Sequence, residues 1–425
     1  MKYLFTLLLT ALFFVPTIGR AQGPVTEQSP QVIHMDGTQP ITEPTVYYPP
    51  QDAGDFERLN FRASYLYWWI EGNEASLPLL TTGGAGRGIL GQPDTVVLLT
   101  AGDVGETGPY HGAEFGAHAW LDADQWVGVD VQFFFLAKTA DTFTAAGDSS
   151  GSPLLSIPFT DTNAAKPGAS FTQIANPGVS TGQVRFENST RLWGLELSTD
   201  LPSFACDRWA ISSLVGFRNL DFTETFSIVQ DVTSVGGQQI LSFQGNAVPG
   251  TDSLRIIDDF NNRTQFYGVN VIVRADYQLT PAVTLNLTGK TALGANKHTG
   301  YIAGSTAQLR PSSGTQTVIA TANGGLFAQP NNISKYTQST FGVLPEVQAK
   351  VSWAVTGWAE ISAGYTFLYW NRVARPADQI PGTINTTTAP SQATFNGGGT
   401  IPGRPDFVFT DLVIHGANVG VVVRY

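Results

Sequence analysis

Counting back from Tyr425 in steps of two gives Val423, Val421, Val419 and Ala417; the interleaved positions are Arg424, Val422, Gly420, Asn418 and Gly416. Successive side chains of an extended chain point to opposite faces. The stretch therefore reads as a strand with one apolar face and one face that is small or polar. The core of a two-sheet sandwich has little use for that second face. An edge strand of a water-soluble sheet can carry the same short pattern, so the remaining sequence has to decide whether the apolar face meets water-excluding protein or lipid.

Composition favours lipid. Charged residues are 13% of the 425, about half the usual share of ~25%, while there are 45 Gly, 26 Phe, 13 Tyr and 9 Trp. A length of 425 would suggest two or three soluble domains, but large barrels break that rule. The net charge of −11 with no Lys/Arg cluster excludes a nucleic-acid partner, because a phosphate backbone demands a basic face. The single cysteine, Cys206, allows no disulfide within the chain and no cysteine-based metal motif. Lys2, the apolar run Leu4–Val15 and the small residues of Gly19-Arg-Ala21 predict a cleaved secretory signal peptide over residues 1–21. With no cysteine near the cleavage point, a lipoprotein is not expected. Residues 22–57, with Pro24, Pro30, Pro40, Pro44, Pro49 and Pro50, read as a polar periplasmic lead-in that cannot fold alone. No other segment approaches the 18 apolar residues of a membrane helix.

Residues 58–425 repeat the C-terminal pattern. Phe61, Ala63, Tyr65, Tyr67 and Trp69 alternate with Arg62 and Ser64. Ala113, Phe115, Ala117, Ala119 and Leu121 alternate with Glu114, Gly116 and His118. After a turn at Ala123-Asp-Gln125, Val127, Val129, Val131, Phe133 and Phe135 alternate with Asp130 and Gln132. Further pairs are expected around residues 191–198 and 209–224, 264–276 and 283–294, and 341–353 and 358–370. With the last strand this makes ten, an even number as in single-chain bacterial barrels. Connections near Ala123, Pro202, Pro281 and Thr356 are short, whereas those after Glu71, Lys138, Phe226, Gly294 and Trp370 are long. Short periplasmic turns and long outer loops are the polarity of an outer-membrane barrel. The expected fold is an all-β, transmembrane antiparallel β-barrel in the cell outer membrane. Gly112/Glu114, Gly194/Glu196, Gly268/Asn270 and Gly416/Asn418 recur on descending strands; there the glycine is expected to leave room for a neighbour's polar side chain.

Several stretches resemble a known family. Tyr65-Leu-Tyr-Trp-Trp69, Pro78-Leu-Leu-Thr-Thr-Gly83, Leu344-Pro-Glu-Val347 and, most specifically, Gly364–Ile380 are similar to the planctomycete family of outer-membrane β-barrel proteins, long carried as a domain of unknown function. Ala377 departs from the glycine expected after Arg-Pro. The resemblance implies a location and a fold; it brings no activity, substrate or catalytic residue.

No nucleophile elbow, phosphate loop or zinc-protease motif is present in the sequence. Asp411 and His415 are spaced for a rim pair, but no second acidic cluster accompanies them. Asp258-Asp259 and Asp141/Asp148 read as solvated loop residues without calcium-ligand spacing, His298 as a loop residue and Cys206 as a packed residue in a periplasmic turn. The chain is therefore expected to be no enzyme and to need no metal or cofactor. By phase, the inward charges are Arg62, Arg218, Arg274, Lys290, Lys350 and Arg424 against Glu114, Asp130, Glu196, Glu224, Glu346 and Glu360. Opposite signs are expected to pair on adjacent strands, Glu196 with Arg218 and Lys350 with Glu360, because inward charges in a poorly hydrated lumen are costly alone. Balanced pairs imply a side-chain-filled lumen and a structural or surface-interaction role carried by the outer loops. The alternatives are a narrow channel for small solutes and, more distantly, a rim hydrolase. The expected partners are outer-membrane lipid and, through the C-terminal strand ending at Tyr425, the barrel-assembly machinery. Deleting Tyr425, or replacing it by Asp, is predicted to block membrane insertion while leaving export intact. Heat-modifiable gel mobility of the membrane fraction measures this, and normal insertion of the deletion variant would refute the assembly role.

Overall fold

The computed structural model describes residues 59–71, 75–84, 87–105, 108–122, 127–398 and 406–425. The expected signal peptide, the lead-in and the Ala123-Asp-Gln125 turn lie outside the described residues. Ten strands form the wall: β1 (Leu59–Ile70), β2 (Tyr110–Trp120), β3 (Gly128–Ala146), β4 (Ser180–Cys206), β5 (Trp209–Ser234), β6 (Ser253–Thr280), β7 (Val283–Ser312), β8 (Ser334–Ala354), β9 (Ala359–Val373) and β10 (Thr410–Arg424). Each pairs antiparallel with its sequence neighbours, and β1 closes on β10 from Asn60↔Arg424 to Ile70↔Ile414. Closure leaves every wall strand paired on both sides, the condition for spanning lipid with strands.

The strands β4 to β7 are far longer than expected from the sequence: 27, 26, 28 and 30 residues, against the ~9–11 that cross a bilayer. Much of what reads as loop after Phe226 and Gly294 is strand. The reason is a reversal of polarity along one uninterrupted pleat. On β6 the outward residues Tyr267, Val269, Val271 and Val273 form an apolar belt, with Gly268, Asn270 and Arg274 inward. Toward the loop end the outward residues become Gln265, Arg263, Asn261, Asp259 and Arg255, while Phe260 and Ile256 turn inward and are buried. On β4 the same switch falls between Trp193 and Arg191: Leu195 and Leu197 face out below it, and Phe186 and Val184 face in above it. The outer face must match its solvent, so lipid selects apolar side chains and water selects polar ones. A search for apolar-out alternation stops where the membrane stops.

Above the belt the connections build a cap. Pro78–Thr82, Val96–Thr100, Leu155–Asp161, Gly168–Ala175 and Thr383–Ile384, drawn from three different connections, form one small sheet, and Thr315–Asn323 folds back on β7. Leu79, Leu80, Ile157 and Ile384 of the cap pack with Phe186, Phe226, Ile228 and Phe260 of the wall in a single buried cluster. Val131→Arg in the lipid belt is expected to cost about 2–4 kcal/mol. Ser227→Arg, outward on β5 above the belt, is expected to stay within about 0.5 kcal/mol. Refolding titrations rank the two; equal costs would place lipid against both.

Candidate functional site

The lumen is filled in layers. Nearest the short turns, Asp130 accepts from Arg62 Nη2 at 2.9 and 3.0 Å and lies 3.4 Å from Arg274 Nη2. His118 Nε2 lies 2.8 Å from Asp200, and Arg424 meets Glu360 at 2.6 Å. The next layer is a buried network. Lys290 Nζ sits 3.0 Å from Glu196 and 3.3 Å from Glu346, and donates to Gln132 at 3.1 Å. Arg218 Nε is 3.1 Å from the Glu196 carboxylate, and Arg218 also pairs with Glu346. Gln132 donates to Glu114 at 2.5 Å, and Lys350 approaches Glu114 at 3.8 Å.

The structure thus brings Glu114, Glu196, Arg218, Lys290, Glu346 and Lys350 together, with Asp130 in the layer below. It does not pair Lys350 with Glu360. The β8–β9 register sets Lys350 opposite Gly364 and Glu360 opposite Ala354, so Lys350 reaches across the lumen and Glu360 turns to Arg424. The glycine expectation is corrected at all four positions. A Cβ at Gly112 would meet the Phe135 carbonyl and Leu136, one at Gly194 the Phe134 ring, one at Gly268 the Phe266 ring and one at Gly416 Trp68. Apolar side chains lie on these glycines because the next layer is apolar.

That layer was not anticipated from the sequence. Trp68 of β1, Tyr110 of β2, Phe134 of β3, Leu192 of β4, Phe222 of β5, Phe266 of β6, Ala292 of β7, Leu344 of β8, Trp370 of β9 and Ile414 of β10 all point inward and form one buried cluster, no member more than 7% exposed. Every strand contributes. Trp68 and Phe134 rings meet at 5.4 Å, and Trp370 Nε1 donates to Asn296 at 2.8 Å. The signal was present as runs that lose alternation, such as Phe133-Phe-Phe-Leu136 and Phe367-Leu-Tyr-Trp370: both faces are apolar where lipid lies outside and the septum inside.

Above the septum, Arg375, in the connection after β9, donates to Glu224 at 2.9 and 2.7 Å and to the Glu71 carbonyl at 3.1 Å. Burial pushes the Glu224 carboxyl up, but the Arg375 guanidinium outweighs it and holds the group below the usual carboxylate range. Sequence phase identified Glu224 without its partner. Two further readings are corrected. His298 is on β7, pointing inward between Thr264 and Thr340, and burial pushes it down to about 4. Asp258 is buried on β6, where it accepts from the amides of Phe327 and Ala328 at 2.8 and 2.7 Å; burial raises it to about 7 against the pull of those amides. Its neighbour Asp259 faces outward. Asp148 closes its own turn through Ser150 and Ser152, and Asp141 is on β3. Cys206 ends β4. His415 and Asp411 share the outer face of β10 and take different partners, Tyr365 and Tyr369, each at 2.6 Å. Among the described residues no group of three metal-ligating side chains converges.

A closed ten-strand antiparallel wall with an apolar outer belt and charged lumen defines an outer-membrane β-barrel protein. The chain belongs to the family described as "Putative beta barrel porin-7 (BBP7)", whose model matches residues 61–425. Among solved structures it is similar to the outer membrane protease OmpT of Escherichia coli, at 8% identity and TM-score 0.40, covering 87% of this chain and 97% of that one. It is also similar to the Pseudomonas putida toluene transporter TodX, at 8% identity and TM-score 0.23 over 87% and 91% of the two chains. A comparison with curated proteins found no match.

Removing one carboxylate from the central network leaves two cations buried. Glu196→Ala is expected to destabilise by about 3–5 kcal/mol, and Lys290→Met in the same chain should recover part of that. Glu360→Ala, whose partner Arg424 is 40% exposed, should cost no more than about 1 kcal/mol. Urea refolding of the four chains measures all three. A loss at Glu196 no larger than at Glu360 would mean the lumen is wet.

Proposed function

We propose that this barrel is sealed across its lumen and serves as a structural or surface-interaction protein of the outer membrane, presenting its loop cap to the outside. The observation that carries this reading is the septum, to which all ten strands contribute a buried inward apolar side chain. The charge network beneath it supports the same reading. Conducting pores select ions with a lining biased to one sign, whereas here Glu196 and Glu346 are matched by Arg218 and Lys290. Above it, the Glu224–Arg375 pair ties the connection after β9 to the wall. Catalysis has no place in the proposal, since His415 and Asp411 are engaged separately on the outer face. Export through the N-terminal signal peptide and assembly through the Tyr425 strand complete it.

The second reading is a channel for small solutes, favoured by the porin description of the family. Planar-bilayer recording separates the two. The wild-type chain is expected to give no stable porin-sized steps, and Trp68→Ala/Trp370→Ala is expected to raise the leak, because it opens the septum. Stable porin-sized currents from the wild type would replace the sealed-barrel reading by the channel.

A further inference from the structure

A groove of about 590 Å³ opens on the outer face of the wall, lined by Phe133, Phe135, Lys138, Arg191 and Trp193. It sits where the apolar belt gives way to the polar extension. Its origin is a bulge in β3: Leu136 pairs with Leu192 and Thr139 with Thr190, so Ala137 and Lys138 together stand opposite Arg191. A bulge breaks alternation and re-aims a side chain; here it turns Lys138 outward beside Arg191, and both are exposed. Below them lies an aromatic shelf, with Phe133 6.1 Å from Phe135 and 6.3 Å from Trp193 between ring centroids.

Arg191 differs from its neighbours on this surface. Other outward arginines of β4 to β6 each hold a carboxylate: Arg185 with Glu187 at 2.5 Å, Arg255 with Asp231 at 2.7 Å, and Arg263 with Asp221. The carboxylates nearest Arg191 along the sheet, Glu187 and Asp221, are therefore already engaged. Among the described residues Arg191 and Lys138 have no acidic partner. Two like charges held side by side at a lipid boundary repel unless an anion joins them, and an aromatic shelf directly beneath suits a hydrocarbon chain.

We propose that this groove binds an anionic membrane lipid, its phosphate held between Lys138 and Arg191 and an acyl chain lying along Phe133, Phe135 and Trp193. The occupant is a lipid rather than a free anion because the shelf continues into the bilayer and the groove wall is mostly apolar. The site lies outside the sealed lumen and does not depend on whether the lumen conducts. Refolded full-length protein in neutral detergent is titrated with dioctanoyl phosphatidic acid, dioctanoyl phosphatidylcholine or inorganic phosphate, and bound lipid is counted by native mass spectrometry. One phosphatidic acid is expected per barrel, with phosphatidylcholine at least about tenfold weaker. Lys138→Gln/Arg191→Gln should lose about tenfold in phosphatidic acid affinity, whereas Arg185→Gln, whose guanidinium is already engaged, should not. Should the double variant fail to show folded gel mobility, Lys138→Gln alone, at an exposed bulge, should still lose about threefold. Equal affinity for the two lipids, no loss in the Lys138 variants, or displacement of the lipid by inorganic phosphate at equal concentration would each overturn the proposal.

Discussion

One wall separates two solvents on its outside and must satisfy both. The β4 to β7 strands run from lipid into water without a break, and the period of two holds across that boundary; what changes is which face is apolar. Below Trp193 and Tyr267 the outer side chains are Leu and Val and the inner ones Glu, Arg and Asn. Above them the outer side chains are Arg, Gln and Asp, and Phe, Ile and Val join polar residues on the inner face. The rest of the architecture follows. Where the lumen side is apolar it can bury a cap; where it is polar it must neutralise itself.

Neutralisation and burial are physically linked. Arg218 and Lys290 have almost no contact with solvent, so their charges are affordable only because Glu196 and Glu346 lie between them. The apolar layer of inward side chains lies directly above the network. Low dielectric strengthens each pair and at the same time makes each pair obligatory. The Glu224–Arg375 pair applies the same logic one layer up, and there it also fixes a connection that would otherwise be free to leave the mouth.

The lumen was partly legible in advance. Glu196 and Arg218 could be matched because they are direct cross-strand partners and inward phase is a local property of each strand. Lys350 was given the wrong partner because its real one, Glu114, lies on the far side of the barrel, and sequence phase carries no information across a lumen. Arg375 was missed for a related reason: it belongs to no strand, so no alternation points to it. His298 and Asp258 read as loop residues because the stretch around them inverts the expected polarity; once the inversion is known, both fall on inward positions.

What the amino-acid sequence determined by itself is whatever depends on alternation and length: all-β class, about ten strands, their order, the lipid face and the polarity of short turns and long connections. These are local, because a side chain's face is set by its parity along its own strand. Only the tertiary structure decided how far the strands continue past the membrane, which charges meet across the lumen, and that inward apolar residues from all ten strands close into a septum. Those outcomes depend on ring closure, which brings together residues as distant as Trp68 and Trp370, and no periodicity along one strand encodes a distance across the barrel.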